Sequence, residues 1–121
     1  MIETAAKLKW FFSGFGLKAY LPQSVPEDER PPYITYHLSE PEWDTQGSTY
    51  CQVWYPKGRM EELLQKADEI MAAIGAGIKI TMPSGYLMLY LAQQQGQFMS
   101  DEWTNSVYIG LLINSYHTPG T

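Results

Sequence analysis

A chain of 121 residues with 45% hydrophobic and 17% charged side chains carries enough apolar mass for one domain with its own core, which argues against a disordered polypeptide or a scaffold that needs staples. A formal net charge of −5, with eight Lys and Arg scattered and never in a run, argues against a surface built to hold phosphate. The single cysteine, Cys51, leaves no internal disulfide and fits a reducing compartment, and no apolar run approaches the roughly 18 residues that span a bilayer.

Residues 2–13 predict a first helix, with Ile2, Ala5, Ala6, Leu8, Phe12 and Phe15 near one side. Trp10 and Phe11 widen the apolar arc, which implies deep burial or a second contact surface. The first residues carry Glu3, Lys7 and Lys9 and show no signal-peptide pattern. Gly14 and Gly16 bracket the exit, and residues 18–21 predict a short strand. Residues 22–32 hold four prolines and the triplet Glu27-Asp28-Glu29. Proline lacks the N–H that a ladder needs, so this is a loop, and its acids lack the alternating ligands and turn glycine of a calcium loop.

Residues 33–38 alternate Ile34, Tyr36 and Leu38 against Tyr33, Thr35 and His37, and residues 49–55 alternate Cys51, Val53 and Tyr55 against Tyr50, Gln52 and Trp54. Both predict antiparallel strands, joined through a polar loop at 40–48 in which Trp43 either folds back or waits for a partner. Arg59 to Ile74 then predicts the clearest helix, its apolar stripe being Met60, Leu63, Leu64, Ala67, Ile70, Met71 and Ile74. Gly58 serves as N-cap, Gly75 supplies the left-handed stop, and Glu62 and Lys66 are spaced to pair across one turn.

Residues 78–82 predict a brief strand ended by Pro83, with a turn at Ser84-Gly85. Residues 86–92 place Leu87, Leu89 and Leu91 on one face and Tyr86, Met88 and Tyr90 on the other. Residues 93–104 are polar and predict a long connection. Residues 106–116 put Val107, Ile109, Leu111 and Ile113 toward the helices and Tyr108, Gly110, Leu112, Asn114 and Tyr116 on the opposite face. The expected fold is α+β: a single domain over 1–121, with a largely antiparallel sheet of about four to six strands and two helices packed on one face.

Sheet strands with bulky aromatics on both faces require a second cover, because an outer face meeting only water normally carries more charge. The candidate protein–protein interface residues are Trp43, Trp54, Phe98, Trp103, Tyr108 and Tyr116, on the Trp43 loop, the 93–104 connection and the outer sheet face. Catalytic chemistry finds no pattern. His37 and His117 are the only histidines, neither is spaced with Cys51 or an acid as a metal site requires, and no nucleophile-elbow turn surrounds Cys51. Glu40 with Glu42, and Asp101 with Glu102, lie among polar neighbours and suit solvated loops. The expectation is a protein that is not an enzyme and holds no metal or cofactor. A small-molecule-binding or enzymatic α+β domain with a Tyr-lined pocket is the alternative.

Two stretches carry a family likeness. The first joins Pro32-Tyr33-Ile34-Thr35-Tyr36, Glu42-Trp43, Gln52-Val53-Trp54-Tyr55 and Ile70-Met71-Ala72-Ala73-Ile74-Gly75. The second joins Leu89-Tyr90, Gln97-Phe98-Met99-Ser100-Asp101 and the strand from Val107 to Tyr116. In residue types and order, over most of the chain after residue 30, this resembles the tail completion, or tail terminator, proteins of tailed phages and prophages. The resemblance implies a virion protein that caps the tail tube and joins it to the head connector, usually as a hexameric ring. It implies a tail tube protein, a head–tail connector protein and further copies of the chain as partners. Its place is the virion tail, and the bacterial cytoplasm during assembly. An acidic ring lumen suits passing DNA, since negative walls repel phosphate; neither a specific nucleic-acid site nor a membrane is expected.

Overall fold

Two α-helices and six strands follow one another in the computed structural model, which describes residues 2–39, 41 and 45–117, without the side chain of His117. They are α1 (Ile2–Ser13), β1 (Ala19–Tyr20), β2 (Tyr33–Tyr36), β3 (Gln46–Pro56), α2 (Met60–Ile74), β4 (Ile78–Met82), β5 (Gly85–Ser100) and β6 (Thr104–His117). The six strands make one sheet in the order β1-β2-β3-β6-β5-β4. Only the β1–β2 pair is parallel. The fold is therefore α+β, as the period-2 and period-3.6 patterns predict.

Alternation decides which face is buried. Ile34, Tyr36, Cys51, Val53, Tyr55, Leu87, Leu89, Val107, Ile109, Leu111 and Ile113 all point to the helices and are buried. α2 lies over β3, β6 and β5 and buries Leu63, Ala67, Ile70 and Ile74. Each of its three large aliphatics contributes about 1.5–3 kcal/mol of burial free energy. Gly75, at φ 51, ends the helix and donates its N–H to the Met71 carbonyl at 2.8 Å. Two details of α2 differ from expectation. Arg59, not Gly58, holds the N-cap position, and it does so without a side-chain cap. Lys66 does not pair with Glu62. It donates to the Phe15 carbonyl at 2.6 Å and meets Glu69 at 2.9 Å, tying the exit of α1 to α2, while Glu62 pairs with Arg59.

α1 touches β1 and β2 at one edge of the sheet and β4 at the other, so the sheet curls around it. Phe12 stacks on Tyr36 with centroids 5.2 Å apart, and the Thr4 hydroxyl meets Met82 Sδ at 3.8 Å. Ser84 Oγ donates to the Glu3 carboxylate at the same end.

The expected connection over 93–104 is instead strand. β5 continues to Ser100, and only Asp101–Trp103 turn. The physical reason is β6. Its first residues already pair with β3, from Thr104↔Pro56 to Val107↔Val53, so its second edge stands ready for β5. Nothing from Ile80 to Ser100 opposes pairing, since the stretch holds no charged residue and its one proline, Pro83, precedes β5. The register slips on the way: Leu91 pairs with Leu111 and Gly96 with Ile109, so residues 92–95 bulge opposite Gly110 alone.

Candidate functional site

The outer sheet face is built from rows of registered residues. Across the strands run Tyr33–Trp54–Ser106–Met99, then Thr35–Gln52–Tyr108–Gln97, then Ser48–Leu112–Tyr90, Gln46–Asn114–Met88–Lys79 and Tyr116–Tyr86–Thr81. Among the described residues of these rows, Lys79 is the one charged side chain, and its ammonium lies over the Tyr86 ring at 4.4 Å. An antiparallel face left to water ordinarily carries charge. This one carries rings and amides on a protein of net charge −5.

The rings pack on one another along the surface. Tyr20 meets Tyr33 at 6.1 Å between centroids, and Tyr33 meets Trp54 at 6.2 Å. His37 stacks on Tyr50 at 5.4 Å, Tyr50 on Tyr108 at 4.8 Å, and Tyr86 on Tyr116 at 4.9 Å. Three polar pairs between them are matched. Trp54 Nε1 donates to Thr35 Oγ1 at 2.9 Å, Gln52 Nε2 to Ser106 Oγ at 3.0 Å, and Gln46 Nε2 to Asn114 Oδ1 at 3.0 Å. Each such bond spares a donor that docking against another protein would otherwise strip of its water.

The 92–95 bulge folds over this face. A Cβ placed on Gly110 would meet the Gln94 carbonyl at 2.9 Å and Ala92 Cβ at 3.3 Å. The bulge rims an open depression of about 350 Å³ lined by Ser48, Thr49, Gln94, Gln97, Tyr108 and Leu111 among others. Tyr108 is the one tyrosine in that lining.

The bulge also reverses the facing of the strand that follows. Before it, odd-numbered residues of β5 point to the helices. After it, Gly96 and Phe98 do, beside Ile109 and Val107, while Gln97 and Met99 join the outer face. Gln52 Nε2 accordingly reaches Met99 Sδ at 3.7 Å, and a Cβ on Gly96 would sit 4.0 Å from Met71 Sδ. β4 pairs with β5 only as far as Leu89, so beyond that residue β5 has no strand on its outer side among the described residues. Phe98 is thus left 49% exposed at an open edge, and Met60 and Leu64 are exposed along the side of α2 that carries Met71.

The six candidate residues therefore do not share one patch. Trp54, Tyr108 and Tyr116 lie on the outer face, half-buried by their neighbours. Phe98 lies on the helix side, and Trp103 stands at the β5–β6 tip, 76% exposed. Trp43 lies outside the described residues, as do Glu40 and Glu42. Sequence reasoning left out Tyr33, Tyr50, Tyr86 and Met99, although the parity of Tyr50 with Trp54 was enough to find the second of them.

The tip is rigid. Asp101 Oδ1 accepts from the Trp103 N–H at 2.9 Å and the Thr104 N–H at 2.7 Å, and Oδ2 accepts from Thr104 Oγ1 at 2.8 Å. The Asp101 N–H donates to the Thr104 carbonyl at 2.9 Å, and the Lys57 N–H to the Trp103 carbonyl at 3.2 Å. The bonds from Thr104 and Trp103 hold the Asp101 carboxyl below the usual carboxylate range. Asp101 is thereby engaged as the cap of a turn.

Cys51 and His37 are kept apart. Cys51 pairs in register with Tyr36 and points into the core, where burial pushes its thiol up to about 12, whereas His37 lies exposed on the other face against Tyr50. Among the described residues no three His, Cys, Asp or Glu gather to hold a metal, and no helix is long and apolar enough to cross a membrane.

No family model, curated protein or solved structure matches the chain.

Proposed function

We propose that this protein is a virion assembly protein of the tail-completion kind, which caps a phage or prophage tail tube and joins it to the head connector as a ring of copies, six in the family it resembles. The observation that carries the reading is the ring-covered outer sheet face, with Lys79 as the one charged side chain in its described rows, on a chain of net charge −5. Interfaces deplete charge at their centre and enrich Tyr and Trp, and this face follows that composition. The acidic remainder suits a passage that must not hold DNA. Such a protein works in the virion tail after assembly in the bacterial cytoplasm.

Electron microscopy of the purified protein, alone and mixed with the neighbouring tail tube protein, tests this reading. The expected result is ring density at one end of the tubes. Tubes with bare ends, together with a protein that stays monomeric beside them and takes a small ligand in the Tyr108 depression, would move the assignment to a ligand-binding domain.

A further inference from the structure

Two exposed tryptophans sit on different parts of the molecule and differ in everything around them. Trp103 projects from the β5–β6 tip, its backbone pinned by the Asp101 carboxylate and the Lys57 N–H while its side chain is 76% exposed. Its neighbours Asp101 and Glu102 set two acids at the tip against one cation, Lys57, whose charge acts on Asp101. A large ring on a fixed backbone has only its own side-chain torsions to order on docking, and tryptophan is enriched among interface hot spots. Trp10, 65% exposed, lies on α1, which packs against β1, β2 and β4. It lines an apolar depression of about 270 Å³ with Phe11, Gly14 and Phe15. That is room for one ring system and below the range of pockets for larger ligands, about 300–1,000 Å³. Phe11 and Phe15 form its wall as an edge-to-face pair with centroids 5.4 Å apart. Among the described residues, its rim carries one cation not paired with an acid, Lys7, one turn before Phe11 with its ammonium 5.5 Å from the Trp10 ring centre, while Lys66 at the Phe15 carbonyl is paired with Glu69. Glu3, the one acid in the first 18 residues, is engaged by Ser84.

We infer that the Trp103 tip of one copy inserts into the Trp10–Phe11–Phe15 depression of the next copy of this chain. Knob and hole lie on different elements, so the contact is head-to-tail and runs from copy to copy until it closes. Charge selects the occupant. A tip with more acids than cations approaching the Lys7 rim is attracted, whereas two copies of an acidic chain repel at most other approaches. The inference rests on the proposed ring and names the surfaces that would join it.

Trp103→Ala and Trp10→Ala remove knob and hole separately, and both side chains are exposed enough to leave the fold intact; unchanged thermal unfolding would verify this. In analytical ultracentrifugation over rising concentration, the wild-type chain is expected to associate. Each variant is expected to associate roughly tenfold to a hundredfold more weakly. An equimolar mixture of the two is expected to form one-to-one dimers that grow no further, because each mixed pair keeps a single intact junction. Raised salt is expected to weaken the wild-type contact, and Lys7→Glu to weaken it further. Wild-type association in Trp103→Ala protein, a mixture no better than either variant alone, or a wild-type chain that stays monomeric throughout overturns the junction. Rings that still cap tubes in Trp103→Ala protein overturn the junction and leave the proposed function standing. Chains that join through Trp103 and never cap a tube do the reverse.

Discussion

Tyr50 and Tyr108 stack on the outside of the sheet with ring centroids 4.8 Å apart and planes 25° from parallel. They sit on neighbouring strands: Tyr108 is opposite Gln52 and Gly110 is opposite Tyr50, so the two rings meet on the diagonal. A Cβ on Gly110 would stand 3.9 Å from the Tyr108 ring, so it is Tyr108 that lies along its strand toward Gly110 and Tyr50, and His37 closes the other side of Tyr50. Rigid rings placed this way form a flat surface that needs little ordering before contact.

If that surface docks against other proteins, a charge at its centre should abolish assembly and spare the fold. Leu112→Lys replaces a half-exposed residue between Ser48 and Tyr90. Thermal unfolding of the isolated chain should change little, within about 1 kcal/mol, as for most surface substitutions. Rings or tube caps seen by electron microscopy should disappear, since an unpaired charge buried in an interface costs about 3–5 kcal/mol. Assembly that survives the lysine would place the interface elsewhere.

The bulge over Gly110 has no room for a methyl group. In Gly110→Ala the new carbon would stand 2.9 Å from the Gln94 carbonyl, a backbone atom that moves only with the bulge. The expected loss is about 1–3 kcal/mol, the usual cost of overpacking, read as a lower urea midpoint at unchanged slope. An unchanged midpoint would mean that residues 92–95 do not pack on this face.

The Cys51 thiol is buried, and desolvation pushes it up to about 12. Its thiolate is therefore scarce at neutral pH and shielded from reagents. A disulfide reagent should modify it only at the rate at which the chain opens, and at once in denaturant. Rapid stoichiometric labelling of the native protein would contradict its place in the core.

Tyr20 donates to the Glu29 carboxylate, fastening the proline-rich loop to β1, with Lys18 at 3.7 Å. That bond lowers the Glu29 carboxyl, helped by Lys18, and raises the Tyr20 hydroxyl to about 12. The lowered acid contributes stability above its ordinary range, and the contribution is lost as pH falls through its folded value. The raised phenol contributes below its ordinary value near 10, and the contribution is lost as pH climbs through about 12. In Tyr20→Phe the Glu29 carboxyl should titrate closer to an ordinary glutamate, as a carbon-detected NMR titration would record. An unmoved Glu29 would show that Lys18 and the backbone govern it.

Much of this molecule was readable from residue order alone. Strand alternation in β2, β3 and β6 and the three-and-four spacing of α2 are local periodicities, each fixing which side chains share a face before any partner is known. The aromatic parity that makes the outer face, Tyr50 with Trp54 and Tyr108 with Tyr116, is readable by the same rule. What tertiary structure alone decided is non-local. Whether residues 93–100 form a loop or a strand depended on the free edge of β6, a partner that composition does not reveal. The 92–95 bulge then moved Phe98 from one face to the other, because an odd number of extra residues in one strand reverses every side chain beyond it. The exposure of Trp10 and Trp103 was settled in the same way: the curled sheet covers one side of α1 and no more, and the Asp101 turn holds its tryptophan away from the core.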